Sequence, residues 1–195
     1  MSTPHTLGWK LALPVIAAPM FLVSGPQLVI ASMRAGIVGT FPALNQRTTE
    51  GYVQWIEEIR AATADLPPES AVFGVNMIVH PSNVRLEADM QATVAKRVPL
   101  VITSLGAVPM LVQAVHSYGG KVFHDVTNRR HAEKAVEAGV DGLILVSAGA
   151  GGHAGTANPF ALIAEIRQFF DGPVALAGAL SNGAQVAAAL AAGAD

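Results

Sequence analysis

His153 stands in the segment Gly142-Leu-Ile-Leu-Val-Ser-Ala-Gly-Ala-Gly-Gly-His-Ala-Gly155, where a short apolar run passes into a glycine-rich loop. Histidine can hold or pass a proton at working pH, because its unperturbed pKa is about 6.5. Glycines beside it, Gly151 and Gly152 among them, let backbone approach a ligand closely. The same pattern fits a glycine loop with an incidental histidine, and this segment alone leaves both open. A second candidate is Gly178-Ala-Leu-Ser-Asn-Gly183, a small turn before a helix-period segment. Backbone N–H groups at such a turn, Gly178 and Ala179 here, suit a phosphate. Ser181 and Asn182 also read as an ordinary helix cap.

Further polar or small residues follow other apolar runs, at Ala17-Ala-Pro-Met20, Gly74-Val-Asn-Met77, Thr103-Ser-Leu-Gly106 and His124-Asp-Val-Thr127. Each has a plain alternative. Met20 reads equally as a core methionine at a strand end, and Asn76 as a turn cap. Asp125 reads as a helix-start carboxylate and His131 as a solvated helix residue. His5, His80 and His116 read as structural or surface residues. The six histidines show no His-Glu-x-x-His or similar spacing, so no metal site is expected.

The elements that must position these residues alternate. Strands are predicted at 15–18, 37–40, 72–76, 100–103, 121–124, 143–146 and 174–177, and helices at 26–35, 48–64, 84–96, 109–117, 129–138, 159–170 and 184–192. Such alternation predicts an α/β fold with a parallel sheet. The first, fifth and seventh helices end on Ala35-Gly36, Ala138-Gly139 and Ala192-Gly193, the signal of a glycine that stops a helix. After the third of these an eighth strand is announced, and the sequence stops at Asp195. The expected architecture is therefore a (β/α)8 TIM barrel, truncated after the seventh βα unit, with residues 1–195 as a single, incomplete domain. A seven-stranded open sheet is the alternative, weakened because no Gly-x-Gly-x-x-Gly follows the first strand. In a barrel, all the candidate loops lie at the C-terminal ends of strands, where barrel enzymes build their active sites.

Composition narrows the class further. The chain is 51% hydrophobic and 13% charged, about half the usual charged share, which leaves surface for missing sequence or for partner chains, as in a homo-oligomer. A formal net charge of −2 without a Lys/Arg cluster gives no nucleic-acid footprint. There is no cysteine, so disulfides and a thiolate nucleophile are excluded, and a cytoplasmic location is expected. Positions 11–33 carry no charged side chain, but Pro14, Pro19 and Pro26 interrupt them, so a strand, a turn and a helix are expected there rather than a membrane span.

Taken in order, Ala18-Pro-Met20, Gly74-Val-Asn76, Lys121-Val-Phe-His-Asp-Val-Thr127 with Arg130-His-Ala-Glu-Lys-Ala135, Gly139-Val-Asp-Gly142, Gly151-Gly-His-Ala-Gly155 and Ala177-Gly-Ala-Leu-Ser-Asn-Gly183 resemble the nitronate monooxygenase family, formerly 2-nitropropane dioxygenases. The resemblance runs over 14–195 and implies an FMN-dependent TIM barrel. It implies that Ala18 and Met20 lie against the flavin ring, that Asn76 hydrogen-bonds the flavin, and that Gly178 and Ala179 hold the phosphate through backbone N–H groups. His153 matches the family's active-site histidine, with Gly151 and Gly152 assisting. His131 matches a histidine near the cofactor in part of the family, and Asp125 departs from the lysine or threonine of relatives. Family members continue past Ala-Gly-Ala-Asp into a strand ending Met-Gly-Thr-Arg-Phe, which supplies the other half of the phosphate site and is not in this sequence. The implied reaction takes an alkyl nitronate or nitroalkane and dioxygen to a carbonyl compound and nitrite. An FMN- and NADH-dependent enoyl-acyl-carrier-protein reductase of the same barrel family, and a barrel fragment without activity, are the competing readings.

Overall fold

The computed structural model describes residues 7–106, 108–152 and 155–195. His5 and His153 lie outside the described residues. The remainder forms two compact units, 7–122 and 123–195.

The first unit runs β1 (Ile16–Ala17), α1 (Pro26–Arg34), β2 (Val38–Pro42), a single 3-10 turn (Ala43–Asn45), α2 (Thr49–Ala62), β3 (Phe73–Ile78), α3 (Leu86–Ala95), β4 (Leu100–Ser104) and α4 (Pro109–His116). Its strands are parallel and pair in chain order, with Ala17 opposite Gly39, Pro42 opposite Asn76 and Ile78 opposite Ser104. Apolar residues fill consecutive positions because both sheet faces are covered: β2, for example, is buried along its whole length. Gly39 allows α1 to lie directly on β2, since a Cβ there would stand 2.6 Å from the Val29 carbonyl oxygen. Phe41, Tyr52 and Trp55 form the aromatic part of this core, with Phe41 edge-on to Trp55 at 5.6 Å. Burial pushes the Tyr52 hydroxyl far above the ordinary tyrosine range, and that hydroxyl pairs with Thr93 Oγ1 at 2.6 Å.

β5 (Lys121–Val126) leads into the second unit, followed by α5 (Arg129–Glu137), β6 (Gly142–Val146), α6 (Pro159–Ile166), β7 (Val174–Ala177) and α7 (Gly183–Ala192). These strands are parallel too, with Asp125 opposite Ile144 and Val146 opposite Ala177. Leu143, Leu145, Leu162, Ile163 and Ile166 are its buried core. Arg167 knits the N-terminal side of this unit: it donates to Gly193 O and Gly172 O and pairs with Asp195, whose carboxylate also accepts from the Val174 N–H.

All seven expected βα units are present, and Gly36, Gly139 and Gly193 are left-handed at the helix ends, with φ of 78°, 87° and 107°. Boundaries differ where local geometry overrides pattern. β1 has only two residues, so Ala18 falls outside it. α3 starts at Leu86 instead of 84, leaving Val84 94% exposed. β5 continues through Asp125 to Val126, and α6 stops at Ile166. The 3-10 turn after β2 had no counterpart in the pattern reading, since one turn shows no periodicity.

Candidate active site

In the first unit, β1 is fixed at its end by the buried Thr40 hydroxyl, which donates to Ala17 O. The chain then opens into the β1–α1 loop. Ala18 is exposed, and four consecutive apolar side chains face outward, Met20 (43% exposed), Phe21 (64%), Leu22 (75%) and Val23 (68%). Met20 is therefore no core methionine. Outward apolar side chains would collapse against the nearest apolar surface if the backbone were free. Here the backbone is held: Met20 N–H donates to Ser24 Oγ at 2.9 Å, and Ser24 N–H to Met20 O at 3.0 Å. Asn45, from the 3-10 turn, accepts from Leu22 N–H at 2.9 Å and donates to Met20 O at 3.1 Å and Ser24 O at 2.8 Å. Leu22 adopts φ 60°, the left-handed region that a non-glycine residue occupies only when its surroundings impose it.

Asn76 does not cap a turn. It lies within β3, 8% exposed, and its Nδ2 donates to Ile102 O at 3.2 Å and Ser104 Oγ at 2.7 Å across β4. Both amide protons are thus used inside the sheet, which leaves Oδ1 as the acceptor of this side chain. His80 and His116 are both exposed; His80 closes its own turn through Nδ1 and Ser82 Oγ at 2.8 Å, as surface residues do.

In the second unit, Asp125 is half-buried inside β5 and does not start α5. Asn128 caps that helix, accepting from His131 N–H at 3.0 Å. His131 is exposed on the first turn, with Nδ1 3.2 Å from Thr127 Oγ1. The loops after β6 and β7 are brought together by backbone. Ser147 is fully buried and donates through both N–H and Oγ to Ala177 O, each at 2.9 Å. A Cβ at Gly178, φ 147°, would fall 2.4 Å from Ser147 Oγ and 3.0 Å from Ala148 O. A Cβ at Gly149, φ 90°, would lie 3.2 Å from that of Ala179, itself left-handed at φ 54°. Only residues this small permit the contact. Gly151 and Gly152 are exposed, and a Cβ at either meets nothing within 4 Å.

Beyond this turn, α7 begins with a full capping box: Asn182 Oδ1 accepts from Gln185 N–H, and Gln185 Oε1 accepts from Ser181 and Asn182 N–H. The cap reading of Asn182 therefore holds. Among the described residues, none accepts a hydrogen bond from the N–H of Ala179. Asn45, Thr40 and Ser147 were missed by pattern, and Ser104 entered only as part of the loop Thr103-Ser-Leu-Gly106; each acts through a partner at least 23 residues away, which spacing along the chain does not reveal. No helix among the described residues is long and apolar enough to cross a membrane.

Comparison with known proteins bears on this geometry. A dehydrogenase of Rhodococcus jostii (strain RHA1), named for (3aS,4S,5R,7aS)-5-hydroxy-7a-methyl-1-oxo-octahydro-1H-indene-4-carboxyl-CoA, is 28% identical over 181 residues, 93% of this chain and 49% of that protein. A nitronate monooxygenase of Paraburkholderia phytofirmans (strain DSM 17436 / LMG 22146 / PsJN) is 28% identical over 228 residues, 93% of this chain and 60% of that protein. The solved nitroalkane oxidase of Streptomyces ansochromogenes superposes with a TM-score of 0.83 at 26% identity, over 95% of this chain and 64% of that one. The chain thus spans about half to two thirds of the length of these relatives. The superposition identifies the seven βα units as those of a TIM barrel and sets the open-sheet alternative aside. The model of the family described as nitronate monooxygenase matches residues 5–195, and with this the chain belongs to the nitronate monooxygenase family of flavin-dependent oxidoreductases.

Proposed function

We propose that the protein binds FMN and oxidises alkyl nitronates, or nitroalkanes after loss of a proton, to carbonyl compounds and nitrite with dioxygen. The family match across residues 5–195 carries this reading. The donor chemistry of each unit supports it. Backbone N–H groups at Gly178 and Ala179, in a turn no bulkier residue could form, suit a phosphate ahead of α7. The outward apolar loop with Ala18 and Met20 suits the face of a flavin ring, and Asn76 Oδ1 suits a ring N–H. Asp125 and His131 we assign to the cofactor's surroundings.

When bound, FMN supplies the redox chemistry, and the protein supplies orientation and electrostatics. His153, with the backbone N–H groups of Gly151 and Gly152, stabilises the nitronate's negative charge, and for a neutral nitroalkane it takes the proton from carbon. The location we assign is the cytoplasm, with small molecules as partners and a homo-oligomer as the assembly.

The test is to replace His153 with Asn in the full protein. Flavin content should stay near that of wild type while nitronate oxidation falls about 10²-fold or more. Wild-type turnover in the variant removes His153 from the chemistry, and released flavin that is not FMN removes the cofactor assignment. A second reading, chemistry on a thioester, is favoured by the Rhodococcus jostii relative, whose name gives a carboxyl-CoA substrate. Turnover of a crotonyl thioester with NADH, without nitronate turnover, selects it.

A further inference from the structure

We infer that Asn45 is a positioning residue that presets the apolar β1–α1 loop to receive the flavin ring, an inference that rests on the flavin reading proposed above. The loop turns four apolar side chains outward, a costly arrangement that persists only where the backbone cannot relax. One side chain accounts for most of the restraint. Asn45 uses its acceptor on Leu22 N–H and both donors on Met20 O and Ser24 O, so its amide is fully engaged with this single loop. The strained residue, Leu22 at φ 60°, is the one whose N–H it receives.

A clamp needs a fixed base, and the 3-10 turn has one. Arg85, from the β3–α3 loop, donates through Nη1 to Gln46 O at 2.5 Å and through Nη2 to Asp89 at 2.9 Å. Asp89 is 1% exposed and also receives the Thr49 hydroxyl at 2.7 Å. Residues 45 and 46 therefore join the loops after β1, β2 and β3 within one unit. Met20 is set in place before any ligand arrives, which lowers the ordering cost of binding.

The test compares wild type with Asn45→Ala in the full protein, by amide hydrogen exchange without flavin and by FMN titration with the visible spectrum recorded. Exchange at Leu22 should quicken about tenfold or more, and FMN affinity should fall about tenfold with an altered flavin spectrum, the scale of losing one or two hydrogen bonds. The melting temperature should change little, because the loop lies outside the core. If Asn45→Ala does not fold, Asn45→Asp serves: it keeps the acceptor for Leu22 N–H but turns a carboxylate oxygen toward two carbonyls, so Leu22 stays protected while FMN affinity falls. FMN binding at wild-type strength and spectrum in either folded variant, or unchanged exchange at Leu22 in Asn45→Ala, overturns the inference and leaves the cofactor assignment standing. Failure of the wild-type protein to take up FMN overturns both.

Discussion

The two units hold their strand-end loops by opposite means. In residues 7–122 the loops are clamped by side chains: Asn45 on the β1–α1 loop, Arg85 and Asp89 on the 3-10 turn, Asn83 Nδ2 on Ile78 O at 2.9 Å. In residues 123–195 the loops after β6 and β7 meet through small residues, Gly149, Gly155, Gly178 and Ala179, with the Ser147 hydroxyl bonded to Ala177 O beneath them. Apolar side chains facing outward need an external frame, whereas a turn that offers N–H groups to an anion must keep Cβ atoms out of the way. The difference teaches that outward apolar side chains and close-packed backbone ask two kinds of precision of one chain.

Substitutions of each kind should break each unit in its own way. The largest effect is expected at Gly155, where an added Cβ would stand 2.2 Å from Val146 O, backbone that cannot move aside. Gly155→Ala should destabilise the protein by about 3 kcal/mol or more in urea unfolding. A cost below about 1 kcal/mol would show that the loop relaxes. Next is Asp89→Ala in the first unit, which leaves the Arg85 guanidinium, 19% exposed, without its carboxylate. A loss of about 2–3 kcal/mol should appear, together with faster exchange in the β3–α3 loop; retention of full stability would mean that Arg85 finds water instead.

Alkali separates the units without mutation. Burial keeps Tyr52 protonated in the folded state at a pH where the unfolded chain ionises near 10.0. Its contribution is therefore whole below about pH 10 and shrinks above it, by about 1.4 kcal/mol at pH 11. Tyr52→Phe should lessen the decline by about that amount in a pH series of unfolding midpoints, while Tyr118, whose hydroxyl burial also raises, keeps its own share. Asn182→Ala should cost about 1 kcal/mol by removing the capping box of α7. Smallest of all, Gly151→Ala should leave stability within about 0.5 kcal/mol, because its Cβ meets no atom. A fall in nitronate turnover from so mild a change would mark Gly151 as backbone that a ligand touches.

Pattern along the chain carried the architecture further than the site. Alternating apolar runs and three helix-stopping glycines gave seven βα units, since both signals are local. The close packing at Gly178 and Ala179 was legible for the same reason, since small residues at a strand end announce a close approach, here of the loop after β6. Asp125 does not start a helix, as its position after an apolar run suggested, because β5 runs two residues past the predicted end at 124. Asn45 was invisible, as its meaning lies in a loop more than 20 residues upstream and in a turn too short for any period. Side-chain clamps are tertiary facts, and no spacing rule announces them.

Gly155 bears on evolution as well as on stability. Its close approach to Val146 O, with Ala148 N–H bonded to Ala157 O at 2.9 Å, makes the stretch from β6 leave and rejoin the scaffold through one narrow neck. Loop closure grows only slowly more costly with length, whereas the clash at 155 admits no side chain at all, so the neck constrains this loop more tightly than its length does. Descent can therefore vary this loop only while a glycine stands at 155 and one at 149, where φ of 90° and the Ala179 side chain leave no room for more.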